Sequence, residues 1–401
     1  MQRFAMSWLV YSLTNSALLL GVVGFTSQIP MFLATPFGGV LADRWNRHRI
    51  LIVTQSLAMI QAFTLAFLVL TRTIAVWQIV CLSVFLGLVD SLDMPARQSF
   101  VVEMVEKRED LGNAIALNSS MVNGARLLGP SIAGVLIAYM GEGMCFLFNA
   151  LSYLAVILSL LAMKITPRKV EIRNPRILQG VKEGISYAFG FIPIRSLLLL
   201  VAVVSLMGVS HVVLMPVFAR DILRGDSHTL GFLMGCSGMG AMVGVAFLTS
   251  RRSIVGLEKW SARATAMFGS GLILFSFSRS FWLSLFLMTF TGFGMMVQQT
   301  SSNTVMQATV DEDKRGRVMS LYTLAFRGMM PFGSLFAGTL ASQIGAPNTI
   351  LIGGGCCLLG SLLFARKLPL LEELIRPIYA KTGIMAEEGS RMAEEKGQPK
   401  R

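Results

Sequence analysis

Long apolar runs alternate with short polar connections along the chain, and their lengths predict helices that cross a membrane. Eleven runs approach or exceed the about 20 residues that a helix needs to span a bilayer core of about 30 Å, and a shorter run covers 4–13. The longer runs lie near 17–41, 49–71, 74–100, 112–139, 143–163, 194–219, 229–250, 260–278, 281–307, 316–342 and 346–366. The pattern predicts an all-α membrane protein with twelve spans, in which the short connections 140–142 and 343–345 are tight helical hairpins.

Composition supports this interpretation. Apolar residues make up 54% of the chain and charged residues only 14%, whereas a soluble domain carries about 25% charged residues. This deficit of charge excludes a soluble enzyme, a disordered chain and a fibrous protein. The five cysteines all lie in apolar runs and form no pattern typical of a metal site, so we expect neither a metal nor a cofactor, and no enzymatic activity.

The basic residues predict an orientation in the membrane. Of the 35 Lys and Arg residues, 28 fall on one set of connections, four on the other set, and three within spans. Cytoplasmic loops carry the excess of Lys and Arg, so both termini are expected in the cytoplasm. The same rule accounts for the net charge of +13 without a nucleic-acid partner.

The longest internal connection divides the chain into two halves. Residues 1–163 and 194–366 are each expected to form a six-helix bundle, joined by a cytoplasmic linker at 164–193 and followed by a cytoplasmic tail at 367–401. Within the linker, the apolar positions of 175–189 share one helical face, which predicts an amphipathic helix on the inner membrane surface; the alternative is a disordered basic linker. The last twenty residues, 382–401, are polar and predict a disordered tail.

The two halves resemble each other at an offset of 201 residues. This shift aligns Arg126 with Arg327 and Pro130 with Pro331, and it also aligns Gln98 with Gln299. An arginine four residues before a proline is rare inside a span. Two related halves are typical of transporters built from internal repeats, so the bundles are expected to be pseudosymmetric.

The connection after the second long run carries the most specific motif, GGVLADRWNRHR from Gly38 to Arg49. It resembles the loop between spans two and three of the major facilitator superfamily. The matching residues are Gly39, Leu41, Ala42, Asp43, Arg44 and Arg47, whereas Asn46 replaces a glycine and His48 a basic residue. The resemblance implies that Asp43 contacts the start of span eleven, near Gly316, and holds the halves together in an outward-open state. The alternative is a solvated loop that only obeys the charge bias.

A second motif, ARLLGPSIAG, lies in the fifth span, where Gly129 and Pro130 favour a bend. Ala125, Gly129 and Gly134 contribute to a face of small residues that permits close packing. The motif resembles the antiporter motif of facilitator exporters and implies export; the alternative is ordinary helix packing.

Segments at 93–105, 110–120 and 315–338 resemble the bacterial branch that includes the enterobactin exporter and the transmembrane secretion effectors. This resemblance implies a multi-pass protein of the bacterial cytoplasmic (inner) membrane.

Charged residues inside spans are costly and indicate function. Asp90 and Asp93 lie in the fourth span and Arg126 in the fifth, and their depths predict an Asp90–Arg126 pair. Such a carboxylate could exchange a proton during transport, or the pair could simply neutralise itself.

Arg327 has no acidic residue within the spans of its own half. Its partner is expected to be Asp43 or Asp90 across the halves, a backbone carbonyl near the inner interface, or an anionic substrate. Three amide side chains at a similar depth could also bind such a substrate: Gln298, Gln299 and Asn303.

Together these features predict a secondary active exporter of a small amphipathic or anionic compound, siderophore-like or drug-like. It would work as a monomer and by proton antiport. The alternatives are a uniporter or importer of the same fold, and a membrane sensor that does not transport.

The first span is short: the thirteen residues before Thr14 reach about 20 Å as a helix. We therefore expect that roughly ten to twenty-five residues are missing before Met1, because a complete span needs about 30 Å.

Overall fold

In the computed structural model, residues 1–104, 110–163, 186–251 and 253–381 are described, and regular structure in these ranges is entirely helical. Within them, the description leaves out the side chains of 35–44, 102–103, 111–112, 115–116, 119–120, 122–123, 126–127, 312–313 and 381. The predicted amphipathic helix at 175–189 lies outside the described residues up to position 185, and 186–190 are helical. The predicted tail at 382–401 also lies outside them.

Among the described residues, five helices form the first half of the chain. They are α1 (Gln2–Thr14), α2 (Ala17–Arg44), α3 (Arg47–Leu70), α4 (Val76–Glu103) and α5 (Leu111–Ala162). Helix α5 is 52 residues long but changes direction at Gly141, whose φ of 80° and ψ of 169° are not helical. The break falls inside the predicted hairpin at 140–142, so α5 consists of two helices in sequence.

The described part of the second half contains eight α-helices. Three π-helical turns interrupt two of its helical stretches, 192–222 and 312–344. In chain order the helices are α6 (Ile192–Val203), α7 (His211–Val217), α8 (Ser227–Ser250), α9 (Leu257–Phe277), α10 (Phe281–Thr309), α11 (Glu312–Thr323), α12 (Met329–Ile344) and α13 (Ala346–Lys381). The π turns are Val204–Gly208, Phe218–Ile222 and Leu324–Gly328. Among the described residues, eight helical segments are long and apolar enough to cross a membrane. The prediction of an all-α fold is thus confirmed for the described residues, whereas the count of twelve spans stays a prediction.

The connections alternate between two faces of the molecule, because successive helices joined by few residues must run in opposite directions. One face, here the short-turn face, carries the connections 15–16, 71–75, 141, 223–226, 278–280 and 345. The opposite face, here the long-loop face, carries the described connection residues 45–46, 104, 110, 163, 191, 251, 253–256 and 310–311. Five of the six described residues with positive φ lie on the short-turn face: Asn15, Arg72, Gly141, Arg224 and Gly345. Left-handed residues end helices abruptly, which is how these turns stay so short.

Each half packs mainly within itself. In the first half α2 lies against α4 and α3 against α5, and in the second half α10 packs on α8 and α9 while α13 covers α9. The main contacts between the halves join α2 to α12 and α5 to α8. The charged side chains described first lie on α1, α4 and the last π turn.

Candidate functional site

Asp90, the first of the two predicted acidic residues, forms an ion pair with Arg3. Its Oδ2 accepts a hydrogen bond from Arg3 Nη2 at 2.5 Å, which joins α4 to α1. The side chains of Arg3 and Asp90 are 56% and 32% exposed, so the pair can be reached from outside the helix packing. The side chain of Arg126, the partner expected from the sequence, lies outside the described residues.

Asp93, one turn later on α4, is held by a complete set of donors. Its Oδ1 accepts from Thr54 Oγ1 at 2.8 Å and Gln55 Nε2 at 2.7 Å. Its Oδ2 accepts from Arg97 Nε at 3.0 Å and Nη2 at 2.7 Å. The residue is only 7% exposed, and a buried carboxylate is tolerated when paired and hydrogen-bonded in this way. Asp93 therefore fixes α3 against α4, while Asp90 remains more accessible.

Arg327 lies in the last π turn and reaches the other half of the chain. Its Nη1 lies 2.8 Å from the Sδ atom of Met94 on α4, one turn of helix beyond Asp90. A π turn inserts one residue into a helix, which rotates everything after it by about 100° and leaves one carbonyl without its helical donor. The Ser205 hydroxyl, in the first π turn, donates to the carbonyl of Phe326, so the two π turns support each other beside Arg327.

The three amides predicted near Arg327 have different surroundings. Gln298 is 1% exposed and donates to Ser302 Oγ at 3.2 Å, inside the packing of α10 against α9. Gln299 and Asn303 are partly exposed. Tyr322 on α11 donates to the Gln299 carbonyl at 3.0 Å. Among the three, Gln299 and Asn303 are thus the ones open to a small molecule in this conformation.

The halves meet along the short-turn face through main-chain contacts between small residues. A Cβ atom added to Gly338 on α12 would lie 2.6 Å from the Cα of Gly21 and 2.8 Å from the Ala17 carbonyl oxygen on α2. We call this contact between α2 and α12 the glycine seam. Its spacing of small residues, Ala17 to Gly21 and Ser334 to Gly338, is the signal that the sequence analysis missed.

The antiporter-like motif of α5 contributes to the second contact on the same face. A Cβ at Gly134 would lie 2.6 Å from the Ser227 carbonyl oxygen of α8, and the Ser227 hydroxyl donates to the Gly134 carbonyl at 3.1 Å. The other residues of the motif contribute less to the contact between α5 and α8. Ala125 is exposed, Pro130 lies inside the helix, and the nearest atom to an added Cβ at Gly129 is 4.0 Å away.

A third contact between the halves joins the ends of α1 and the second π turn. The Tyr11 hydroxyl donates to Asp221 Oδ2, and the Arg220 guanidinium lies 6.0 Å from the centre of the Tyr11 ring. Asn15 and Arg224 end the neighbouring turns, which places this contact on the short-turn face. All three contacts therefore close the same face.

The loop motif predicted at 38–49 is only partly described. The side chains of Gly39, Asp43 and Arg44 are outside the description, so the expected contact of Asp43 stays a prediction. Arg47 begins α3, and Asn46 caps this helix by accepting a hydrogen bond from Arg49 N at 3.2 Å. Asparagine is among the best N-cap residues, which gives Asn46 a local structural reason to stand at the position of the usual glycine.

A helical membrane protein whose halves close one face, with an accessible ion pair in one half and an arginine that reaches from the other half, has the architecture of a membrane transporter. The sequence profile described as transmembrane secretion effector matches residues 1–380. The chain belongs to this family of major facilitator transporters, and the resemblance noted in its motifs is thereby confirmed.

Named relatives agree with this family. The chain is 25% identical over 353 residues to the staphyloferrin A transporter of Staphylococcus aureus, a match that covers 88% of each chain. It is also 25% identical over 356 residues to the multidrug efflux pump Tap of Mycolicibacterium fortuitum, with 86% of each chain covered.

Solved structures show the same fold. A mutant of the nucleoside transporter NupG superposes with a TM-score of 0.73 at 12% identity, covering 91% of this chain and 94% of that one. A bacterial homologue of the lysosomal transporter Spinster, inward-facing and occupied, gives a TM-score of 0.67 at 15% identity, covering 95% and 94%. At these identities the likeness concerns the fold alone.

Proposed function

We propose that the chain is a secondary active exporter of a small amphipathic or anionic compound, driven by proton influx. In this proposal it has twelve spans, with the bundles 1–163 and 194–366, and works as a monomer in the bacterial cytoplasmic membrane. The short-turn face is the outer one, because it carries four of the 35 Lys and Arg residues and cytoplasmic loops carry the excess. Both termini are then cytoplasmic.

The observation that carries this proposal is the closure of the short-turn face by the described residues. The glycine seam, the Gly134–Ser227 contact and the Tyr11–Asp221 hydrogen bond all lie on the proposed outer face. The contact of Arg327 with Met94 lies deeper, at mid-depth between the halves. This arrangement supports an inward-open state, which is the loading state of an exporter.

The charges suggest how substrate and proton use the same region. Arg3 is neutralised by Asp90, and Arg327 brings a further positive charge to the interface between the halves, within reach of Met94. A cation at this depth attracts an anionic substrate group. In an antiport cycle the substrate leaves with Asp90 ionised and paired with Arg3. The empty carrier returns with Asp90 protonated, because a neutral carboxyl group moves through the membrane at lower cost than a carboxylate.

Transport into inverted membrane vesicles tests the proposal. We expect uptake of the anionic dye carboxyfluorescein when the vesicle interior is acidified, and loss of most of this uptake with a protonophore. Asp90→Asn should remove the gradient-driven part, whereas Asp110→Asn should keep it. Asp110 is an exposed acidic residue at the start of α5 whose side chain makes no cap hydrogen bond, so it is a matched control for the loss of one carboxylate.

The alternatives give different results in the same vesicles. Uptake that is equal with and without the pH gradient identifies a uniporter. Uptake only in vesicles of native orientation identifies an importer. Folded protein that moves neither carboxyfluorescein nor the cationic dye ethidium in either orientation supports the sensor and contradicts the proposal.

A further inference from the structure

A cluster of arginine and aromatic residues occupies the connection between α8 and α9, on the long-loop face. Two guanidinium groups lie near the Trp260 ring, with Arg251 Cζ at 5.3 Å and Arg263 Cζ at 5.5 Å from its centre. Phe247 packs edge-on against the same indole, with the ring centres 4.7 Å apart. Distances within about 6 Å are those of cation–π contacts. One indole thus orients two cations at the end of two membrane helices.

The positive charge of this cluster is not balanced by the described carboxylates. Neither Arg251 nor Arg263 takes part in an ion pair with the described residues, whereas Lys259, beside them, pairs with Glu372 at 3.1 Å. The Nε atom of Arg251 is buried and has no hydrogen-bond partner in the described part of the chain. Desolvating an unpaired charge is costly. A negatively charged ligand on the outer nitrogens of Arg251 would offset that cost.

The position of the cluster indicates which ligand this is. Trp260 is partly exposed and Arg263 exposed, at the point where α8 ends at Ser250 and α9 begins at Leu257. Tryptophan prefers the level of the lipid headgroups, and arginine binds phosphate through two parallel hydrogen bonds. Basic sites at the cytoplasmic ends of membrane helices attract anionic lipid headgroups.

We propose that Arg251, Trp260 and Arg263 form a binding site for the phosphate group of an anionic phospholipid of the inner leaflet. The two guanidinium groups hold the non-bridging phosphate oxygens, and the acyl chains lie along the apolar surface near Phe247. A zwitterionic lipid binds more weakly, because its own amine neutralises the phosphate and leaves both arginine charges unbalanced, whereas an anionic lipid leaves only one. Its assignment to the inner leaflet rests on the orientation in the proposed function, but the site is independent of the transport direction and of Asp90.

Native mass spectrometry of the full-length, delipidated protein tests the site with phosphatidylglycerol as the probe. Each of Arg251→Gln and Arg263→Gln should weaken binding of the tightest lipid about fivefold, and the double variant about 25-fold, since one basic residue near an anionic surface is worth about 1 kcal/mol. Arg315→Gln is the control, because Arg315 is exposed on the same face and its replacement removes the same charge. It should leave binding unchanged.

The proposal is overturned if the double variant binds phosphatidylglycerol as tightly as the parent chain, or if Arg315→Gln weakens binding equally. Phosphatidylethanolamine should bind at least about fivefold more weakly than phosphatidylglycerol; equal binding contradicts the selectivity. Millimolar inorganic phosphate should not displace the lipid. Displacement would show a site for free phosphate instead. If the double variant does not fold, the affinity of the Arg263→Gln variant for phosphatidylglycerol tests the proposal by itself, because the Arg263 side chain is exposed. Unchanged affinity in that variant overturns the proposal.

Discussion

Replacing Gly338 with alanine should shift the transporter away from the conformation described here. The new Cβ would lie 2.6 Å from Gly21 Cα and 2.8 Å from Gly21 N and the Ala17 carbonyl oxygen. Carbon atoms pack best about 3.5–4.0 Å apart, so α2 and α12 must separate by about 1 Å. These neighbours are main-chain atoms and cannot rotate away as a side chain could.

The cost follows from this overlap. Overpacking by one methyl group typically costs about 1–3 kcal/mol, which corresponds to about a 5- to 150-fold change in a two-state equilibrium. The cost falls only on the state in which the glycine seam is closed. Alanine also favours a helix by about 1 kcal/mol over glycine, but this gain applies to both states and cancels between them.

Distances between spin labels can measure the shift. Labels on Thr73→Cys and Ser280→Cys in a cysteine-free background would report on the short-turn face, since both positions are exposed in its connections. We expect longer distances to gain population in Gly338→Ala. Gly355→Ala is the control, because no atom lies within 4 Å of a Cβ added there. An unchanged distribution in Gly338→Ala, or an equal shift in Gly355→Ala, would refute the reasoning.

Three further outcomes are expected. Asp93→Asn should lower the free energy of unfolding by about 2–3 kcal/mol, because it weakens a charge-assisted network of four hydrogen bonds; thermal unfolding in detergent measures this, and an unchanged midpoint would contradict it. Tyr11→Phe removes the donor to Asp221 and should raise the population with an open short-turn face about fivefold, equivalent to about 1 kcal/mol, in the spin-label assay; closure equal to the parent would exclude a role for this bond. Reporter fusions in 164–193 and after residue 380 should both read as cytoplasmic, and an external result at either site would contradict the proposed topology.

The helices could be predicted from the sequence because their signal is local. The run at 49–71 corresponds to α3 (Arg47–Leu70), and the hairpin at 140–142 to the break at Gly141. Hydropathy reports the length of an apolar run, and a bilayer demands that length of every span. Glycine at the turns adds a second local signal, since Gly141 and Gly345 both adopt positive φ.

The partners of the charged residues could not be predicted in the same way. Depth along a span pointed to Arg126 for Asp90, and that pair stays a prediction because the Arg126 side chain lies outside the described residues. The described partner, Arg3, gave no local signal, because the crossing of α1 and α4 decides that these two side chains meet. The π turn at Leu324–Gly328 could not be predicted from the sequence either, because such a turn needs no special residue. The extra residue of this turn rotates Arg327 by about 100° around the helix axis relative to Glu312–Thr323. Helical periodicity counted from the start of α11 therefore predicts the wrong direction for the Arg327 side chain.

The glycine seam has a consequence for how sharply the protein can switch. Attraction between main-chain atoms falls off so steeply that a gap of about 0.5–1 Å forfeits about a quarter to a half of it. Charges attract over much longer distances and would permit a graded opening, with partly separated helices still held together. The contact of Gly21 with Gly338 therefore gives little attraction between α2 and α12 once they are partly separated. Once parted slightly, it favours full separation, and this guards against a leak in which both sides of the membrane are open at once.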